Sequence, residues 1–260
     1  MNASDDSSVD RFSRIFDVLE LLVGHPDGMT LTEIVKRLDL PTSSAHNLLR
    51  RMVLADVVGM TEDLRYSVGP RAVRLAIRVM DRLEVRAVAR RVLVDLARET
   101  GEDVYLAIRL GDRVSYVDRV QGTRPVSVNI RLGQSLFLHA TAVGKLFAAH
   151  VPQLREQLFA GERPRLTPNT LTSVEQLEAE MDTIVYDGIA LSREEAIPGI
   201  TGLAVPVRDT DGTVVAAIHI SALSAQLDVP HEKFLVKSAR AAALAIESEL
   251  GVHGPGRTGG

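Results

Sequence analysis

Between Thr42 and Arg51 the sequence TSSAHNLLRR gathers three hydroxyls, a histidine, an asparagine and two arginines, with no acidic residue among them. Ser and Thr suit phosphate oxygens, Asn can pair bidentately with adenine, and Arg with guanine or phosphate. At the helical period Ala45, Leu48, Leu49 and Met52 fall on one apolar stripe. Ser43, Asn47 and Arg50 then point the opposite way, with Ser44, His46 and Arg51 on their flanks. Pro41 suits the first turn, where its missing N–H costs nothing. Such a helix buries one face and offers only hydrogen-bonding groups on the other. That second face is either a solvated exterior or a surface that reads nucleic acid, and the flanking elements decide between them.

Residues 10–24 have the spacing of a helix whose stripe is Phe12, Ile15, Phe16, Leu19, Leu22 and Val23, ended by Gly24 and Pro26. Thr30 and Glu33 have the spacing of a capping box, and Leu31, Ile34, Val35 and Leu38 repeat the helical pattern. Asp39 and Leu40 are too short a connection for anything but two crossing helices, a helix-turn-helix. The segments VVGM and RYSV around the polar TEDL read as a hairpin, or wing. Residues 10–69 therefore read as a winged helix-turn-helix, with Thr42, Ser43, Ser44, His46, Asn47, Arg50 and Arg51 on the recognition helix and Arg65 in the wing as candidate contacts to double-stranded DNA. Residues 1–70 hold seven Lys/Arg against eleven Asp/Glu, so positive charge is local, with Lys36 and Arg37 adding to it. One copy would bind weakly, and a dimer or higher oligomer is expected.

Gly69-Pro70 breaks the chain, and a linker helix is expected over 70–87 with Val73, Ile77, Met80 and Ala87 on one stripe. Arginines at 71, 74, 78, 82, 86 and 90 recur at three- or four-residue spacing, as a solvated face or an electrostatic guide toward phosphates. Beyond it DVYLAIRL, RVSYVDRV and VSVNIRL read as strands, and TAVGKLFAAH and SVEQLEAEMDTIVYDG as helices. GLAVPVRD and TVVAAIHIS form a hairpin turning at Asp211-Gly212. A long helix closes this half with the stripe Phe234, Val236, Ala239, Ala243, Ile246 and Leu250. The fold class is thus α+β and multidomain, with an antiparallel sheet and packed helices in the second half. Residues 1–9 and 251–260 are polar or glycine-rich and read as disordered tails.

The 260 residues suffice for two domains, and 45% hydrophobic with 25% charged residues is ordinary for a globular protein. No apolar run approaches a membrane span, and the N-terminus lacks the pattern of a signal peptide, so a cytoplasmic protein without a membrane partner is expected. With no cysteine, thiol catalysis, Cys-ligated zinc and disulfides are excluded. The chain has no H-x-x-x-H or G-x-S-x-G, Gly144-Lys145 lacks the upstream glycine of a phosphate loop, and the seven histidines are scattered. No enzyme, cofactor or metal is expected.

Together the winged helix, the linker and the blocks LHATAVGK, SREEAIPGITGLAVPVRD and VVAAIHIS resemble the IclR family of transcriptional regulators over roughly residues 10–250. The resemblance implies a GAF-like C-terminal domain, here residues 88–250, that binds a small and often carboxylate-bearing effector. It also implies homodimers, commonly paired into tetramers, on palindromic operators. Family positions that contact small acids correspond to Thr141, Ala142 and Val143 at the start of a helix, whose free N–H groups suit a carboxylate. Ser192 stands where the family often has Asp, and Gly202 where several acid-binding members have Cys. His219 and Ser221 match a pair of small polar positions, and their spacing places them on one face of a strand. Two side-chain contacts are therefore missing and a titratable ring is added, so the effector differs in bulk or charge. Glu194 and Glu195 read as solvated. An architectural DNA-binding protein without an effector is the rival reading. The size of the second domain and its polar-faced strand count against it.

Overall fold

The computed structural model describes residues 3–81, 83–125 and 128–253, and the chain divides into two compact units between residues 82 and 83. The first unit runs α1 (Ala3–Val23), β1 (Met29–Thr30), α2 (Leu31–Leu38), α3 (Thr42–Leu54), β2 (Val58–Met60), β3 (Arg65–Val68) and α4 (Pro70–Asp81). The capping box at the start of α2 forms: the Thr30 hydroxyl accepts the Glu33 amide, and the Glu33 carboxylate accepts the Thr30 amide at 2.7 Å. Asp39 ends α2 in the left-handed region at φ 50°, a conformation Asp tolerates, and this lets the chain turn into α3 within two residues. The expected wing is present as β2 and β3, which pair from Val58↔Val68 to Met60↔Tyr66. β1, two residues long and without a pattern of its own, adds to β3 on its other side.

Val18, Leu22, Ile34, Leu49, Met52 and Tyr66 form the core of this unit. The stripe expected on α1 is rotated from the true one. Phe12 and Phe16 are 68% and 65% exposed and Val23 is exposed too, while Val18 is fully buried. Packing needs only one narrow seam on α1, and the smaller Val18, in line with Leu22, takes it. No glycine or proline interrupts residues 3–23, so α1 extends back to Ala3 through most of the expected tail. Likewise the last helix runs to His253, and residues 254–260 lie outside the described residues.

The second unit begins with α5 (Glu84–Thr100), so the linker expected over 70–87 is two helices and not one. α5 buries Ala89, Leu93, Leu96 and Ala97, while Val73 and Ile77 of the expected stripe are exposed on α4. Strands β4 (Asp103–Leu110) and β5 (Arg113–Val120) follow, then α6 (Ala142–His150), α7 (Pro152–Ala160), α8 (Val174–Asp187), β6 (Ala190–Arg193), β7 (Ile200–Arg208), β8 (Val214–Leu223) and α9 (Val229–His253). The antiparallel sheet has the order β5-β4-β8-β7-β6. α5 and α9 pack together and against the sheet, while α6 packs on β6, β7 and β8 with α7 and α8 around it. α9 buries Leu235, Ala239, Ala243 and Ile246, so its seam passes through Leu235 and leaves the expected Phe234 exposed.

The third expected strand is corrected. Residues 126–127 lie outside the described residues, and 128–132 form no strand. They are held instead by side chains: the Val128 amide donates to Asp103, and the Tyr105 hydroxyl donates to the Val128 carbonyl and accepts the Ile130 amide. A segment anchored this way crosses the sheet without joining it.

Candidate functional site

On α3, Thr42, Ser43, Ser44, His46, Asn47, Arg50 and Arg51 are all exposed, while Ala45, Leu49 and Met52 are buried. Pro41 is the N-cap, one residue earlier than expected, and makes no side-chain cap. The first-turn amides of α3 thus keep their donors for an external acceptor, the arrangement that suits a phosphate. Ser44, Asn47 and Arg51 also line a cavity of about 310 Å³ against Arg14 of α1 and Leu40.

Arg65 is placed differently. Its Nε donates to the Asp27 carbonyl at 3.2 Å and its Nη2 to the Gly28 carbonyl at 3.1 Å, with Glu33 at 3.9 Å. It braces β3 to the turn before α2, because the Asp27–Gly28 carbonyls are the acceptors nearest its fork. In the second unit Arg86 and Arg90 approach Asp118 at 3.6 and 2.7 Å, so these two members of the arginine series hold α5 on β5.

The sheet unit has an open cavity of about 330 Å³ whose lining includes Thr141, Ala142, Ser192, Gly202, His219 and Ser221. Strand register assembles them. Ser192↔Gly202, Gly202↔Ser221 and Asp103↔Ser221 form one row across β6, β7, β8 and β4, and Ala204↔His219↔Tyr105 form the next row. Six of the seven candidates meet here. Val143 does not line the cavity: it is fully buried in the core with Leu146 and Phe147, since successive helical residues point about 100° apart. Its main-chain N–H still belongs to the first turn of α6.

Two candidate hydroxyls are already engaged. Thr141 caps α6, accepting the Gly144 amide at 3.0 Å and donating to the Phe137 carbonyl at 2.9 Å. Ser192 donates to the Ala140 carbonyl at 2.7 Å. A Cβ on Gly144 would lie 2.4 Å from the Phe137 carbonyl oxygen, so glycine lets the start of α6 close against residues 137–138. The amides of Ala142 and Val143 have no acceptor within the helix.

Gly202 is required by a neighbour and not by its own dihedral angles: a Cβ there would lie 2.7 Å from the His219 ring. The imidazole occupies the space that a side chain at 202 would fill. His219 packs against Tyr105 and Tyr116 with ring centroids 5.8 and 5.3 Å away, and burial lowers its pKa to about 3. It is therefore neutral at physiological pH. Burial also raises the Tyr116 phenol well above its ordinary value. Among the described residues, no Lys, Arg, Asp or Glu lines this cavity.

One buried cluster was not anticipated. Lys145 on α6 is fully buried and its Nζ meets both Glu195 oxygens at 2.8 and 2.9 Å and Glu180 at 2.8 Å. Glu195 is buried, not solvated as expected, and desolvation raises its pKa against the opposing pull of Lys145. A lysine inside the otherwise small and apolar AVGKLFAAH was the one available signal.

Among the described residues, no three His, Cys, Asp or Glu side chains gather as a metal site, and no helix is long and apolar enough to cross a membrane.

An N-terminal helix-turn-helix unit followed by an antiparallel sheet unit with an open cavity is the architecture of a DNA-binding regulator with an effector domain. Comparison with known families agrees: residues 12–58 match the IclR helix-turn-helix domain, and residues 77–248 match "Bacterial transcriptional regulator IclR C-terminal". The chain belongs to the IclR family of transcriptional regulators. It is 29% identical to the HTH-type transcriptional regulator XynR of Escherichia coli, covering 92% of this chain and 96% of that one. It is 30% identical to the glycerol operon regulatory protein of Streptomyces griseus, covering 94% and 97%. Among solved structures, an IclR homolog from Microbacterium hydrocarbonoxydans complexed with 4-hydroxybenzoate has a TM-score of 0.83 at 29% identity, covering 92% of this chain and 98% of that one. These relatives are regulators and not enzymes, and the chain has the DNA-binding and effector domains of its family.

Proposed function

We propose that this regulator binds operator DNA through the exposed face of α3 and takes a small organic acid in the cavity of the sheet unit, with occupancy changing operator affinity. The observation that carries the reading is the convergence of Thr141, Ala142, Ser192, Gly202, His219 and Ser221 on one cavity that abuts the start of α6. The carboxylate is held by the amides of Ala142 and Val143 and the positive end of the helix dipole, because no cationic side chain lines the cavity. Apolar walls from Ile130, Leu136, Phe137 and Ile197 accept the carbon skeleton. The 4-hydroxybenzoate held by the Microbacterium relative supports an acid of this size.

Two or four copies act together, since the few basic groups on one α3 cannot supply specific affinity alone. Thr42, Ser43 and Ser44 meet phosphates, while Asn47 and Arg50 meet base edges, with His46 and Arg51 beside them. Effector and operator are linked by a coupling free energy, so each changes the affinity of the other by the same factor.

The test is fluorescence-anisotropy binding of the full chain to DNA from upstream of its own gene, against scrambled DNA, over a salt series, with aromatic and aliphatic acids added. Sequence-dependent binding that one acid changes is expected. Binding that stays indifferent to sequence, there and in genome-wide site selection, would overturn the DNA reading. Operator binding that no acid alters would overturn the effector reading and favour an effector-independent DNA-binding protein.

A further inference from the structure

His219 and Ser221 are 4% and 3% exposed, and both line the cavity from the same face of β8. Their polar atoms are unusual within it. Thr141 and Ser192 are engaged with the main chain, but His219 Nδ1 and Ser221 Oγ have no hydrogen-bond partner. Buried polar groups in folded proteins are nearly always paired. Here two unpaired ones lie two residues apart on one strand, both lining the cavity.

The chemistry of the pair selects what can meet it. A neutral imidazole offers one acceptor nitrogen and one N–H donor, and a serine hydroxyl can donate and accept. An ammonium group would find no carboxylate in the lining, and a second carboxylate would find no cation. A ketone oxygen can only accept. A hydroxyl is the smallest group that can donate to an imidazole nitrogen while accepting from a serine. The serine hydroxyl can swing toward the cavity by rotation about one bond.

We infer that the effector is a hydroxy acid: a monocarboxylate whose hydroxyl group hydrogen-bonds to His219 and Ser221. This rests on the proposed acid-binding role of the same cavity, and it makes His219 and Ser221 the residues that separate hydroxylated acids from their deoxy counterparts. A site built to bond a hydroxyl rejects the analogue lacking it, because its own buried groups are left unpaired.

The experiment is isothermal titration calorimetry of the full-length protein with matched pairs, 4-hydroxybenzoate against benzoate and lactate against propionate. In at least one pair the hydroxylated member should bind about tenfold tighter or better. Ser221→Ala should reduce that ratio toward one while the melting temperature stays near wild type, and His219→Gln should reduce it independently. Equal affinity within every pair that binds would overturn the hydroxy-acid assignment and leave the acid reading standing. A ratio that survives both substitutions would overturn the role of the two residues. Failure of every acid to bind a protein that melts cooperatively and binds DNA would overturn the acid reading and this inference with it.

Discussion

The exposed face of α3 and the cavity of the sheet unit are both polar, yet they are polar in opposite ways. On α3 the seven candidate side chains stand in solvent above a strictly apolar seam, so each can exchange water for a base or phosphate at little cost to folding. In the cavity the candidate polar groups come from the start of α6, β6 and β8, all but Thr141 are buried, and two of them have no partner. A surface that reads a long polymer can be built from one helix. A cavity that selects a small molecule must desolvate its groups, and it depends on the rest of the fold to hold them. Substitutions should therefore cost function alone in the first region, and stability as well in the second wherever the group removed has a buried partner.

The largest expected effect lies beside the cavity. Lys145→Met strands Glu195 as a buried carboxylate without its cation, and should cost about 3–5 kcal/mol in urea unfolding of the sheet unit. A loss under about 1 kcal/mol would mean that Glu195 simply takes up a proton.

His219 supplies a pH dependence. Its folded pKa of about 3 lies below the ordinary 6.5, so between these values the unfolded chain binds the extra proton. Stability from this group is complete above pH 6.5 and falls as pH drops toward 3, at about 1.4 kcal/mol per pH unit. Unfolding curves of the wild type between pH 6.5 and 4 should be steeper in pH than those of His219→Gln by that amount. Equal slopes would show that the imidazole is solvated.

On the other side of the comparison, Arg50→Ala should weaken specific operator binding by about 1–3 kcal/mol and leave the unfolding midpoint unchanged within about 0.5 kcal/mol. A large loss of stability in this variant would erase the contrast between the regions. The smallest effect is a cap: Thr30→Ala removes one half of the capping box and should cost the first unit about 1 kcal/mol, measured by thermal melting.

The two regions also differed in how far the sequence reveals them. α2 and α3 carry their periods, their cap and their exposed groups within 25 consecutive residues, so local spacing sufficed. The short apolar runs DVYLAIRL and TVVAAIHIS were equally plain as strands. What periodicity cannot supply is phase against a partner, and this is why the seam of α1 passes through Val18 and not Phe12 or Phe16. The cavity residues came through likeness to a family and not through spacing, because Thr141 and Ser221 are joined only by register across strands. The ion pair of Lys145 and Glu195 spans 50 residues and has no local signature. Val128–Leu132 has strand-like residues, yet its backbone is held by Asp103 and Tyr105, a competition that only the folded neighbourhood decides.

The close approach of Gly202 and His219 constrains the history open to this pocket. A side chain at position 202 would force the imidazole to move, since a Cβ there lies 2.7 Å from His219 Cε1. A lineage descended from this protein by gene duplication meets the least steric resistance if residue 219 shrinks before residue 202 is enlarged. The intermediate, with both positions small, passes through a roomier and less selective pocket. Effector preference in such descendants should therefore change by way of a promiscuous ancestor, and the order of the two substitutions is biased by steric crowding before selection acts on either ligand.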